Sequence, residues 1–421
     1  MIDLAVNGNR LWDSLSTMAK IGATGSGGVE RPAGSVEDGE ARALLWRWCR
    51  DAGCELRLDG VGNMFARRPG QNKQRPPVQI GSHLDTVYNG GRYDGAYGVM
   101  AGLETIRALN DRGIETDAPI ELVNWTNEEG ARFPLPMSGS RAFAGEITLD
   151  DAFALTEPAG MRLGDALAEI GWRGDAPVGH EVGSYLEAHI EQGTVLERAG
   201  VDVGLVSGIQ ARRRLRIELA GQTAHAGTCP MDRRRDALLT AARITAEVRR
   251  LALAVDEQMR ATVGRLDAWP GAANVIADRA EITLDVRHPD DARLQSYLDN
   301  LTATAQSIAE EEGCSLTTST LAQAQATVFD ADCRRAIARA AETRQICTKT
   351  LVSGGGHDAG ALAAVTRAGM VFVACHDGVS HNPAESITPE AAKAGCAVLA
   401  EAARCLADQN RADDDASPMQ P

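Results

Sequence analysis

Aromatic residues are scarce, at 4% of the 421 residues, so bulky rings do little of the packing and small Ala and Gly side chains do more. Positive charge is also short. With 43 Lys and Arg against 58 Asp and Glu, the formal charge is −15, which excludes a general affinity for nucleic acid or for anionic membrane surfaces. No stretch approaches the roughly 20 apolar residues that a membrane-spanning helix needs. The first residues, Met1-Ile-Asp-Leu-Ala5, have neither the basic segment nor the apolar core of a secretory signal, so a cytoplasmic location is expected. No Cys-x-x-Cys pair occurs, and the nine cysteines (49, 54, 229, 314, 333, 347, 375, 396 and 405) form an odd set. They read as reduced thiols packed as small hydrophobes, not as a disulfide framework. No internal repeat is visible. What is present, 44% hydrophobic and 24% charged residues, is ordinary for a globular protein of one large or two average domains.

Along the chain, residues 8–22 and 36–52 have the pattern of amphipathic helices around the loop Gly22-Ala-Thr-Gly-Ser-Gly-Gly28. Strand and helix signals then alternate: an apolar strand at 78–82, a helix near 98–112 and a strand at 119–125. Such alternation predicts an α/β domain with a largely parallel sheet. The pattern changes near residue 210. Arg214-Leu-Arg-Ile-Glu-Leu-Ala220 alternates strictly, the mark of a strand with one wet face. A helix at about 232–252, strands near 259–267 and 280–287, a helix at about 290–312 and a strand near 315–321 follow. The order β-α-β-β-α-β is the ferredoxin-like split unit. The expected division is a discontinuous domain, 1–209 with 325–421, interrupted by an inserted α+β domain, 210–324. After 325, a helix at 330–345, a strand at 369–374 and a helix at 388–407 restore α/β character. The acidic, proline-containing tail from Asn410 is expected to be disordered.

The run Val78-Gln-Ile-Gly-Ser-His-Leu-Asp-Thr-Val87 ends in His83-x-Asp85. Residues i and i+2 of a strand share a face, so the two side chains project together. A histidine beside a carboxylate at a buried strand end suits a metal ligand with its orienting partner. Four further patches supply ligand types: Asp94 in Gly90-Gly-Arg-Tyr-Asp-Gly95, Asn127-Glu128-Glu129-Gly130, Glu187-Ala-His189-Ile-Glu191 and Ser380-His381-Asn382. Each alone is weak, since a lone histidine is usually structural and a Glu-Glu pair usually a solvated face. Their joint placement after apolar runs is the stronger signal, because sites in open α/β sheets form beyond the carboxyl ends of the strands. Side chains of adjacent residues diverge on an extended segment. Glu129 can therefore bind metal while Glu128 faces water as a base. An aspartate between two ions can bridge them. Nitrogen and oxygen donors without thiolate suit Zn²⁺, Mn²⁺, Co²⁺ or Ni²⁺.

Eight stretches in a fixed order carry a resemblance. They are Gly81-Ser-His-Leu-Asp-Thr-Val87, Gly91-Arg-Tyr-Asp-Gly95, Thr126-Asn-Glu-Glu-Gly-Ala-Arg-Phe133, Gly139-Ser-Arg-Ala-Phe143, Glu187-Ala-His-Ile-Glu-Gln-Gly193, Ala224-His-Ala-Gly-Thr228, Ser353-Gly-Gly-Gly-His-Asp-Ala359 and Gly378-Val-Ser-His-Asn382. Together they resemble the hydantoinase/carbamoylase family of di-metal amidohydrolases, within the aminoacylase–carboxypeptidase superfamily. The resemblance implies a di-metal aminopeptidase-like catalytic domain with an inserted ferredoxin-like lid that also forms a homodimer. It implies two divalent ions per subunit, one held by His83, Asp94 and His189 and the other by Asp94, Glu129 and His381. Asp85 would orient His83, and Glu128 would be the general base. Substrate contacts would fall on Gln192, His225, Asn274, Arg287, Gly355 and Gly356.

Several of these residues have a plainer reading too. His225 is either a loop histidine or an oxyanion donor, the latter able to act across a dimer. Arg287 beside Asp285 is either a surface ion pair or a fork for a substrate carboxylate. For Arg132 and Arg141, flanking the Glu128–Glu129 loop, substrate contact and salt bridging both stay open. His357 is either structural or part of the site. Ala374-Cys-His-Asp-Gly378 departs from the Pro/Ser-rich loop usual in the family, so His376 either touches substrate or is simply exposed.

The expected reaction is metal-dependent hydrolysis of the ureido C–N bond of a small anionic substrate. An N-carbamoyl-L-amino acid, giving amino acid, CO₂ and ammonia, is the leading case. Allantoate, ureidoglycolate, N-carbamoyl-β-alanine, N-acyl amino acids and dipeptides are the alternatives. A metal-binding scaffold without catalysis, or a protein with one structural ion, are the rivals from other classes. The intact Glu128 beside Glu129 argues against the first, and the second predicts a single ion per chain.

Overall fold

The computed structural model describes residues 4–408, so the expectation for the tail from Asn410 lies outside the described residues. The chain divides into two compact units, Met1–Ser207 with Phe329–Pro421, and Gly208–Val328. The strands in chain order are β1 Glu55–Leu58, β2 Met64–Arg68, β3 Val78–His83, β4 Ile120–Trp125, β5 Ser184–Ile190, β6 Val203–Ile209, β7 Ala211–Ala220, β8 Arg260–Trp269, β9 Arg279–His288, β10 Ser315–Ala324, β11 Thr327–Val328, β12 Thr348–Ser353 and β13 Arg367–Val373.

The first unit is α/β. Its sheet runs β1-β2-β4-β3-β5-β13-β6-β11, with β12 also on β6. The expectation of a largely parallel sheet holds for the centre. There β4, β3, β5 and β13 are parallel, while β1, β2 and β6 are antiparallel to their neighbours. The difference lies in the connections. β1 and β2 are joined by a tight turn at 59–63, which permits only antiparallel pairing, whereas the parallel strands are reached by long crossovers. Every residue of β3, β4 and β5 is buried, as strands covered on both faces require.

Helix Ala96–Asp111 forms the crossover from β3 to β4. It packs so closely that a Cβ on Gly98 would stand 2.2 Å from the carbonyl oxygen of Ala188 on β5. Helix Pro389–Ala407 begins at Thr388, whose hydroxyl accepts the Ala391 N–H, with proline in the first turn.

The second unit has strand order β10-β7-β9-β8, antiparallel throughout. Helices Ala237–Val255 and Asp291–Glu311 connect the pairs in a β-α-β-β-α-β sequence. Ile282, Leu284 and Val286 of β9 are fully buried against Ala241, Ile244, Leu294 and Leu301. Each large aliphatic side chain so buried contributes about 1.5–3 kcal/mol. The intervening residues of β9 are only partly buried. Asp236 and Asp290 cap the two helices, so the first starts at 237, after a short 3-10 turn at Met231–Arg233, and not near 232. No helix among the described residues is long and apolar enough to cross a membrane.

Candidate metal centre

The parallel strands deliver their carboxyl ends to one place. His83 is the last residue of β3, paired in register with Trp125 at the end of β4, and Glu128 and Glu129 follow three and four residues later. His189 lies near the end of β5, opposite Phe372 of β13, and His381 follows β13. Asp94 immediately precedes helix Ala96–Asp111. The structure brings these side chains together as two groups that share Asp94: His83, Asp94 and His189, and Asp94, Glu129 and His381. Asp94 Oδ1 is 3.1 Å from His189 Nε2 and 3.7 Å from His83 Nε2. Its Oδ2 is 3.3 Å from His381 Nε2, which in turn is 3.2 Å from Glu129 Oε2.

The orientation of two of the imidazoles is fixed from behind. His83 Nδ1 is 2.9 Å from the Asp85 carbonyl oxygen, and His189 Nδ1 is 2.9 Å from the Ile190 carbonyl oxygen. Each Nδ1–H therefore donates to the main chain, which turns Nε2 toward Asp94. Asp85, expected to orient His83, thus meets Nδ1 through its backbone carbonyl, with its carboxylate 3.9 Å from the same nitrogen. The carboxylate is engaged elsewhere. Its two oxygens accept the N–H groups of Glu128 (3.1 Å) and Glu129 (3.2 Å) and so fix the adjacent glutamates.

Glu128 Oε2 stands 3.5 Å from His83 Nε2. Burial, with Asp358, Glu129, Asp85 and Asp94 nearby, holds its carboxyl well above the usual range. Burial and Asp94 raise Glu129 as well. Asp94 is held well below the usual range, because His189, His381 and His83 outweigh its burial.

These residues fit divalent metal. Among the described residues, the charged partners of Asp94, Glu128 and Glu129 are histidines only, and no Lys or Arg pairs with these buried carboxylates. The donors are imidazole nitrogen and carboxylate oxygen, a set that suits first-row divalent metals. Three non-glycine residues with positive φ flank the cluster, Asn127 (54°), Gln192 (56°) and His381 (53°). Strained backbone of this kind gathers at functional sites.

Residues 79–404 match peptidase family M20/M25/M40. An N-carbamoyl-L-amino-acid amidohydrolase of Rhizobium meliloti is 42% identical over 94% of this chain and 95% of its own length. An allantoate amidohydrolase of Bacillus subtilis is 32% identical over 93% and 96%. The crystal structure of a hydantoinase/carbamoylase family amidase from Burkholderia multivorans superposes with a TM-score of 0.92 at 44% identity, covering 96% of this chain and 98% of that one. The chain belongs to the hydantoinase/carbamoylase branch of peptidase family M20/M25/M40.

Other residues of this M20 chain divide between the two units. Gln192 Nε2 donates to Asp94 Oδ2 at 2.8 Å, and a Cβ on Gly355 would lie 2.9 Å from Gln192 Oε1. Gly356 lies against Met137. His357 is buried, with Nε2 2.9 Å from Ser353 Oγ and its ring 4.5 Å from that of His189. His376 is exposed and pairs with Glu197 at 3.0 Å. Arg132 pairs with Glu157 and Arg141 with Glu146.

In the second unit, His225 and Asn274 lie on neighbouring segments: His225 bridges Val275, and Ala226 N–H donates to the Asn274 carbonyl oxygen. Gly227 N–H donates to His225 Nδ1 at 3.0 Å, which leaves Nε2–H as an outward donor. Arg287 Nε donates to Asp285 Oδ1 at 2.6 Å, so the ion pair suggested by their spacing is formed.

Sequence reasoning named Ser380 only as part of a ligand-type patch and missed Glu385, both of which contact Asp94, and Arg31. The last is a fully buried guanidinium whose Nε donates to the Leu84 carbonyl between His83 and Asp85. A carboxylate four residues after His381 was the available signal for Glu385.

Proposed function

We propose that this chain hydrolyses the ureido C–N bond of an N-carbamoyl-L-amino acid, giving amino acid, CO₂ and ammonia. The observation that carries the reading is Asp94 shared between two ligand groups with Glu128 beside them, in a chain 42% identical to a relative named for this activity. His83, Asp94 and His189 would hold one ion, and Asp94, Glu129 and His381 the other, with Zn²⁺, Mn²⁺, Co²⁺ or Ni²⁺ as candidates. When bound, such a pair supplies Lewis acidity to the substrate carbonyl and acidifies water.

The side chains supply the rest. Glu128 takes a proton from the attacking water at its carboxylate and passes it to the leaving nitrogen. A carboxyl raised by burial suits a group that must accept and then release a proton near neutrality. Asp85 keeps Glu128 and Glu129 in place through their N–H groups. His225 Nε2–H is the proposed oxyanion donor. Arg287 is the proposed fork for the substrate carboxylate, with Asn274 completing the grip; to serve, it must share or leave Asp285. Gln192 orients substrate beside Asp94, and Gly355 and Gly356 allow close approach to the main chain. Residues 210–324 would act as a lid, excluding water on closure, and as the surface of a homodimer. The nine free cysteines suit a reducing, cytoplasmic setting.

The test is ammonia release after dialysis against chelator and re-addition of each metal. The panel comprises N-carbamoyl-L-amino acids, N-carbamoyl-β-alanine, allantoate, ureidoglycolate, N-acetyl amino acids and dipeptides. Metal-dependent turnover highest for an N-carbamoyl-L-amino acid is expected. Preference for allantoate, the substrate in the Bacillus subtilis relative's name, would move the chain to that activity. Equal turnover without metal would overturn the mechanism.

A further inference from the structure

Glu385 is fully buried, and both its oxygens are engaged. Oε1 accepts the backbone N–H groups of Tyr93 (2.8 Å) and Asp94 (3.1 Å). Ser380 Oγ sits between Glu385 Oε2 (3.2 Å) and Asp94 Oδ2 (2.8 Å). A local turn brings the carboxylate there: Glu385 N–H donates to the Asn382 carbonyl oxygen and Ala384 N–H to Asn382 Oδ1. Space for it is kept by Gly91, where a Cβ would fall 2.0 Å from the Glu385 carboxyl carbon. One carboxylate thus ties the main chain of Asp94 to the segment carrying His381, 287 residues further on (381 − 94).

We propose that Glu385 is a positioning residue for the Asp94–Glu129–His381 group, holding Asp94 Oδ2 and His381 convergent for a divalent ion. This rests on the two-ion reading above. Two physical points support it. A main chain pinned at the N–H groups of Tyr93 and Asp94 leaves the Asp94 carboxylate little freedom, and His381, at φ 53°, needs its surroundings to keep it in that conformation. A buried negative charge behind a ligand also strengthens that ligand's donation to a cation, and such partners typically govern metal affinity by 10–100-fold. The same contacts in a purely structural role would leave the two ions equally affected.

The test uses the full chain with Glu385→Gln, which fills the same space, and Glu385→Ala. Metal-free protein is titrated with Co²⁺, following visible absorption and bound metal, and release to chelator is timed. The wild type is expected to bind two equivalents. In Glu385→Gln, one equivalent should weaken by about 10–100-fold with an altered absorption band, and the other, which shares only Asp94, by distinctly less. Glu385→Ala should show the same change, larger. The proposal is overturned if both equivalents bind within about two-fold of wild type in both variants, against that 10–100-fold expectation. It is equally overturned if both ions weaken alike, or if neither variant folds, since Glu385 would then be a scaffold residue. A wild-type chain that binds fewer than two equivalents instead removes the two-ion reading itself, and this inference with it.

Discussion

Glu128 and Glu129 are neighbours in sequence with different surroundings, and Asp85 is what separates their proposed tasks. By accepting both N–H groups, it fixes the peptide between them, so that Glu129 meets His381 while Glu128 meets His83. Glu128→Gln keeps the volume and the backbone contacts and removes only the basic oxygen. We expect kcat to fall by about 10²–10⁴, the usual contribution of a general base, with bound metal unchanged. Ammonia release alongside elemental analysis checks this, and retained turnover would refute the role. Gly95 makes a different demand. It has φ 63°, and a Cβ there would stand 2.3 Å from the His83 ring. Gly95→Ala must displace that imidazole. Loss of one ion and at least a roughly 10²-fold fall in kcat are expected, as for an angstrom-scale misplacement of a reacting group. Wild-type metal content in this variant would show that the ring is not where the ion binds.

At the scale of elements, β5 and β6 were not read as strands, but β3, β4 and β13 were legible as apolar runs with ligand-type residues at or beyond their ends. The hairpin β1–β2 and strand β12 were not. Glu55-Leu-Arg-Leu58 alternates but is only four residues long, Thr348-Lys-Thr-Leu-Val-Ser353 mixes charge and apolar residues, and their strand character comes from pairing with neighbours. Nor could the burial of charge be read from sequence, because the segments that cover it are distant in the chain. Helix Val36–Asp51 illustrates this. Its Asp38 and Arg42 side chains are 0% exposed and pair at 2.7 Å. Arg42 also donates to the Gly62 carbonyl oxygen (2.6 Å) and to Thr126 Oγ1 (3.2 Å), directly before the Glu128 loop. Arg42→Met strands Asp38 as an unpaired buried charge, which costs about 3–5 kcal/mol. The double variant Asp38→Asn/Arg42→Met should lose less than Arg42→Met alone, since removing both partners spares that penalty. Urea unfolding of the metal-loaded proteins measures both, and a double variant less stable than Arg42→Met would contradict the account.

For the whole molecule, the change of periodicity near residue 210 was legible because a sheet with one wet face alternates and a sheet covered on both faces does not. The convergence of charge was less so, and it makes a prediction about pH. Burial, with Asp38 and Glu129 nearby, raises the Asp85 carboxyl to about 8, and burial with Asp94 raises that of Glu385 to about 7. Carboxyls of an unfolded chain titrate near 4. Between about pH 4 and 8, therefore, the folded metal-free chain holds protons that the unfolded chain has released, and its stability rises as pH falls. His381 acts in the same sense. Hydrogen bonds to Asp94 and Glu129 raise it to about 11, so its contribution is lost only as pH rises toward that value. His83 opposes below about 6.5, the value for an unfolded histidine, because burial lowers it to about 4. The groups agree only from about pH 8 down to 6.5. Chelated protein should therefore show a Tm that rises over that interval. Metal-loaded protein should not, since protons compete with ions for the same ligands, and the gap between the two curves should narrow on acidification. A chelated Tm that falls from pH 8 to 6.5 would mean that the buried carboxylates are neutralised by something other than bound protons and the imidazolium of His381.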